Sequence, residues 1–193
     1  MKQTIFGIVL AQVVLYFFGF LYWGLGPYPT LIWKQAKDTA AAAQALREQF
    51  PQNGTYLVPS TAGSPEDVDK AMRQGPVAFV HMLRVEGRPQ MEPSIMATGF
   101  VTNLIVIVLI ALLLRRAAPA LPTYADRAKF VAFAGFIAAF FIAAFFIDGG
   151  EIVWWQMPAD WKLYQAGYDF LFWVIAGLIL SRFVEPIGRT QPQ

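Results

Sequence analysis

ATGFVTNLIVIVLIALLLRR, residues 97–116, is the stretch that decides the architecture. From Ala97 to Leu114 no side chain is ionisable, and at about 1.5 Å per residue the run reaches about 27 Å, close to the hydrocarbon thickness of a bilayer. It stops at Arg115-Arg116, the kind of basic flank that a chain keeps on the side where it was made. A chain that is 56% hydrophobic and 15% charged has the balance of an integral membrane protein rather than a soluble domain.

Three further runs read the same way. Residues 4–26 follow Lys2 and leave through Phe20, Tyr22 and Trp23, side chains too large for a signal-cleavage site, so this segment is expected to stay as an anchor. Residues 130–147 alternate Phe, Ala and Ile directly after Arg127 and Lys129, and residues 163–184 carry one internal acid, Asp169. The expected fold class is therefore an α-helical integral membrane protein with four transmembrane helices, at 4–26, 97–114, 130–147 and 163–184.

Orientation follows from the short connections. Residues 115–129 hold Arg115, Arg116, Arg127 and Lys129 against Asp126, whereas residues 148–162 hold Asp148, Glu151 and Asp160 against Lys162. The basic loop is expected in the cytoplasm together with both termini, including the tail 185–193, and the acidic loop outside. Aromatic residues cluster at the expected outer face, with Tyr22, Trp23, Tyr28 and Trp33 after the first run and Trp154, Trp155, Trp161, Tyr164 and Tyr168 around the last loop.

Residues 27–96 form the one polar block, an expected extracytoplasmic α/β segment. Lys34 to Phe50 reads as a helix stopped by Pro51 and the Asn53-Gly54 turn. Thr55 to Pro59 and Pro76 to Leu83 read as strands. Between them Ser64 is a candidate N-cap, Pro65 the first helical residue, Val68, Ala71 and Met72 one apolar face, and Gly75 the stop. So small a unit has a marginal core by itself and is expected to lean on a membrane or a partner.

The span-one exit with Gly19, Trp23 and Pro27, the Ala-rich helix, Gly54-Thr55-Tyr56-Leu57-Val58-Pro59 and Gln74-Gly75-Pro76-Val77-Ala78-Phe79 together resemble an uncharacterised family of small four-span bacterial membrane proteins with an extracytoplasmic segment after the first helix. The resemblance implies this topology and the bacterial inner membrane. It implies no activity and no catalytic residues.

The absence of cysteine excludes disulfides, iron–sulfur ligation and covalent haem attachment. The single imidazole, His81, leaves the common multi-histidine metal sites out of reach. No cofactor and no metal are expected, and a net charge of +2 spread over membrane edges gives no reason to invoke nucleic acid.

Asp169 stands out because an acid inside an apolar run is costly unless paired or protonated. It reads either as a functional carboxylate or as a hydrogen-bonded packing residue. Gln12 and Asn103 read as amides that join helices, and Gly135, Ala139 and Ala143 form a small-residue ridge that lets another helix approach. Asp148, Glu151 and Asp160 form a possible hard-cation or acid/base group, against the plain alternative of a solvated turn.

Three functions fit these readings. The first is a non-catalytic accessory or scaffold subunit whose partners are the bilayer and other membrane subunits. The second is a solute or ion carrier using Asp169. The third is a lipid-modifying enzyme using the acidic loop.

Overall fold

The computed structural model describes residues 2–26, 31–146, 152–153 and 156–185, with the backbone alone for 142–146. The chain divides into two compact units, Lys34–Glu92 and the remainder, Met1–Trp33 with Pro93–Gln193.

Among the described residues the larger unit is a bundle built on four long helical elements. Helix α1 (Lys2–Phe20) continues as a π-helical turn, Leu21–Leu25. Helix α4 (Pro93–Ala117) ends in a 3-10 turn, Ala118–Ala120. Helix α5 (Tyr124–Phe136) continues as a π-helix, Ile137–Phe146, and α6 runs from Ala159 to Phe183.

Among the described residues three helices are long and apolar enough to cross a membrane: Lys2–Leu25, Pro93–Ala120 and Ala159–Phe183. The expected third run, 130–147, departs from a regular helix. Its first part is the end of α5, its second part closes i→i+5 rather than i→i+4 bonds, and Ile147 lies outside the described residues. The fourth helix also starts earlier than expected, at Ala159, so Trp161 and Lys162 are helical.

Pairwise contacts fix the helix directions. Phe6 meets Phe183, Phe18 stacks on Tyr168 and Tyr22 meets Tyr164, so α1 and α6 are antiparallel. Tyr16 and Gln12 of α1 reach the Met96 and Phe100 carbonyls of α4, which sets α4 antiparallel to α1 and parallel to α6. Tyr124 Oη donates to the Leu178 carbonyl while Phe136 and Phe140 meet Phe170, so α5 is antiparallel to α6. Both π-helical segments therefore lie at the bundle end away from Lys2 and Phe183.

Helix α6 packs against α1, α4 and α5. Leu15, Ile107, Ile110, Leu114, Val131 and Leu180 are the largest fully buried side chains. Lipid tails are as apolar as leucine, so burial alone does not hold such helices together; close packing and hydrogen bonds do. Gly135 illustrates the packing, because a Cβ added there would collide with the Trp173 Cβ across the α5–α6 contact.

Hydrogen bonds tie both ends of the bundle. Arg127 donates from Nε to the Leu121 carbonyl at 3.0 Å and from Nη1 to the Val184 carbonyl at 3.4 Å, placing a cation at the C-terminal end of α6 where the helix dipole favours one. At the other end the Tyr22 hydroxyl donates to the Tyr164 carbonyl at 2.8 Å, and the Tyr164 hydroxyl donates to the Tyr22 carbonyl at 2.9 Å.

The smaller unit holds α2 (Thr39–Gln49), β1 (Gly54–Val58), α3 (Pro65–Gln74) and β2 (Ala78–Met82). Helix α2 starts at Thr39 rather than Lys34 because the Asp38 side chain accepts from Ala41 N and caps it. Ser64 Oγ accepts from Asp67 N at 3.2 Å, Pro65 opens α3, and Gly75 stops it at a φ of 59°. The strands pair antiparallel with Tyr56 opposite Val80 and Leu57 opposite Phe79. No residue from Lys34 to Glu92 is buried; Tyr56, Leu57, Val68, Met72, Phe79 and Val80 are only partly covered.

Candidate functional site

Asp169 and Asn103 line one cavity of about 240 Å³ in the bundle. Each stands ten residues into its helix, Asn103 on α4 and Asp169 on α6, and these helices are parallel. At about 1.5 Å per residue each side chain sits about 15 Å from the start of its own helix. Tyr168, Phe172 and Trp173 supply aromatic lining from α6, and Ala138 and Ala139 supply small side chains from the π-helical segment.

That segment helps to shape the cavity. Its wider winding follows α5 at the point where small residues face α6: Ala139 is buried against Ala166, with Phe140 and Phe170 packed beside them. The floor is the core of the bundle, where Phe172 joins Ile107 and Leu15. Asp169 itself remains exposed on the bundle surface, so the cavity is reached from the flank rather than from either end.

Among the described residues no hydrogen-bond or ion-pair partner contacts the Asp169 carboxylate. Lys162, about 10 Å away along α6, is the neighbouring cation whose field reaches it. In a helix that crosses a bilayer, an acid so far from either helix end costs about 3 kcal/mol on insertion scales, a cost that a proton or a cation offsets.

Gln12 is placed elsewhere, buried between α1 and α4, with Nε2 donating to the Phe100 carbonyl at 3.0 Å and Oε1 lacking a partner. Gly135 and Ala139 both face α6, within the chain itself. The Ala143 side chain lies outside the described residues.

Asp148 and Glu151 lie outside the described residues as well, as do Pro27, Tyr28, Trp154 and Trp155. Asp160 opens α6, where its Oδ1 accepts from Trp161 N at 2.8 Å; an acid is favourable in that first turn. No group of three or more His, Cys, Asp or Glu among the described residues is arranged to hold a metal ion. His81 is exposed on β2 and its Nδ1 pairs with Thr55 Oγ1 across the strands at 2.9 Å, an ordinary cross-strand contact.

Sequence reasoning treated Asp169 and Asn103 as separate features. Their equal distance from the helix starts was readable, but only after the starts had moved to Pro93 and Ala159. It also missed the hook made by Arg127 and the reciprocal Tyr22–Tyr164 bonds, since neither partner carbonyl belongs to a motif. No family model, no curated protein and no solved structure matches this chain.

Proposed function

We propose that the protein is a non-catalytic accessory or scaffold subunit of a larger membrane protein complex, in the inner membrane of a bacterium. The observation that carries this reading is the polar unit Lys34–Glu92. It has regular helices and a paired sheet, yet not one of its residues is buried. A two-stranded sheet is marginal alone, and partly covered Leu57, Met72, Phe79 and Val80 gain most when another surface closes over them.

The same reading has four spans, with residues 130–136 at the end of α5 and the π-helical Ile137–Phe146 together making most of the third crossing, 130–147. Both termini then lie in the cytoplasm, beside Arg115, Arg116 and Lys129, and the polar unit lies outside. Fusing reporters to the two ends checks this: both should report from the cytoplasmic side, and opposite sides would remove the four-span topology.

The accessory role is tested with the tagged chain at native expression in a mild neutral detergent, carrying a photo-crosslinking residue at Met72 or Val80. One membrane protein should co-purify and also form the adduct at both positions, and Val80→Asp should weaken its capture. Recovery as a lone monomer with no protein adduct from either position would defeat the proposal.

A further inference from the structure

We propose that the cavity at Asp169 binds the ammonium headgroup of a single-chain amphiphile, which enters sideways and leaves its alkyl chain in the bilayer. This site does not depend on the accessory role. It rests on a carboxylate without a contacting partner among the described residues, an amide lining the same cavity, an aromatic lining and an opening on the flank of the bundle.

The chemistry selects the ligand class. An acid about 15 Å from the start of its helix calls for a positive charge, and the ring faces of tryptophan, tyrosine and phenylalanine attract organic ammonium groups. A hard divalent ion wants about six to eight oxygen ligands, whereas this lining offers a carboxylate, an amide and a phenol.

The cavity of about 240 Å³ has room for a compact organic cation. A methylated ammonium fits inside, and a flexible chain attached to it can leave through the side where Asp169 is exposed. Asn103 then contributes its amide oxygen toward the positive headgroup, and Ala138 and Ala139 keep the volume open by carrying nothing larger than a methyl.

The test uses the full chain in phosphatidylcholine nanodiscs and measures radiolabelled dodecyltrimethylammonium bound above empty discs. Saturable binding is expected, weakened about tenfold or more by Asp169→Asn and kept within about threefold by Asp169→Glu. Ala138→Leu leaves the carboxylate in place and narrows the cavity, so it should also weaken binding about tenfold; it decides the matter if Asp169→Asn fails to fold. Dodecanol, with the chain but no charge, should not compete.

Equal binding by the parent protein and Asp169→Asn, or by the parent and Ala138→Leu, overturns the assignment. So does competition by dodecanol. If dodecyltrimethylammonium does not bind but a leucine-rich transmembrane peptide with a central lysine does, the cavity belongs to a partner helix and the amphiphile is ruled out.

Discussion

Replacing Gly135 even by alanine puts a methyl carbon against the Trp173 Cβ, and backbone rather than a flexible side-chain tip must move to relieve it. The expected cost is about 1–3 kcal/mol, read as a lower melting temperature in detergent. Gly99→Ala, where nothing lies within 4 Å, is the control and should not lower the melting temperature. Gln12 behaves differently. Its Nε2 hydrogen bond is offset by a buried Oε1 with no partner, so Gln12→Leu should change stability by less than about 1 kcal/mol in the same assay. A large loss would mean that the amide does more than join α1 to α4. The small residues and the amide were legible as types from the sequence, because packing ridges and mid-helix polar groups show up in any apolar run. Their partners were not, since Trp173 and the Phe100 carbonyl are brought close only by the fold.

Local signals governed the element ends. Ser64, Pro65 and Gly75 bound α3 as the sequence suggests, because capping needs only neighbours within one turn. The same logic applies to α5 and was overlooked there. Thr123 Oγ1 accepts from Asp126 N at 3.1 Å while Asp126 Oδ2 accepts from Thr123 N at 3.2 Å, a capping box written plainly as Thr123-Tyr124-Ala125-Asp126 before an apolar run. Thr123→Ala should therefore cost about 1 kcal/mol in thermal denaturation.

The Thr123 side-chain and backbone hydrogen bonds, with a smaller contribution from the charge of Lys129, hold the Asp126 carboxyl below its ordinary value. A folded-state value below the unfolded one makes the stabilisation full above the usual carboxylate range and lost as pH falls through the folded value. Comparing Asp126→Asn with the parent protein across pH should show a gap at neutral pH that closes below about pH 4. A gap that stays constant would disconnect the cap from the carboxylate charge. The π-helical segments had no such local signature; Ile137–Phe146 reads by composition as ordinary apolar helix.

At the scale of the whole molecule, the two units differ in how they are held. The bundle has a buried core that runs through α1, α4, α5 and α6, whereas Lys34–Glu92 has none. Residues 34–92 produced alone should show helical circular dichroism without a cooperative thermal transition, and a sharp melt would contradict the incomplete core. The division at a polar block between apolar runs was legible from composition alone. The convergence of Asn103 and Asp169 on one cavity was not, because it depends on two helices distant in sequence sharing a direction.

That shared direction comes from α6, which touches every other helix of the bundle although it follows them all in the chain. During synthesis α1, α4 and α5 thus leave the ribosome before the element they are shaped to grip. Gly135 waits without Trp173, and Arg127 waits without the Val184 carbonyl. A translocation pause or truncation ahead of residue 159 should strand the earlier segments as loosely associated, protease-sensitive intermediates, and the quality-control machinery of the host would meet this protein at that moment.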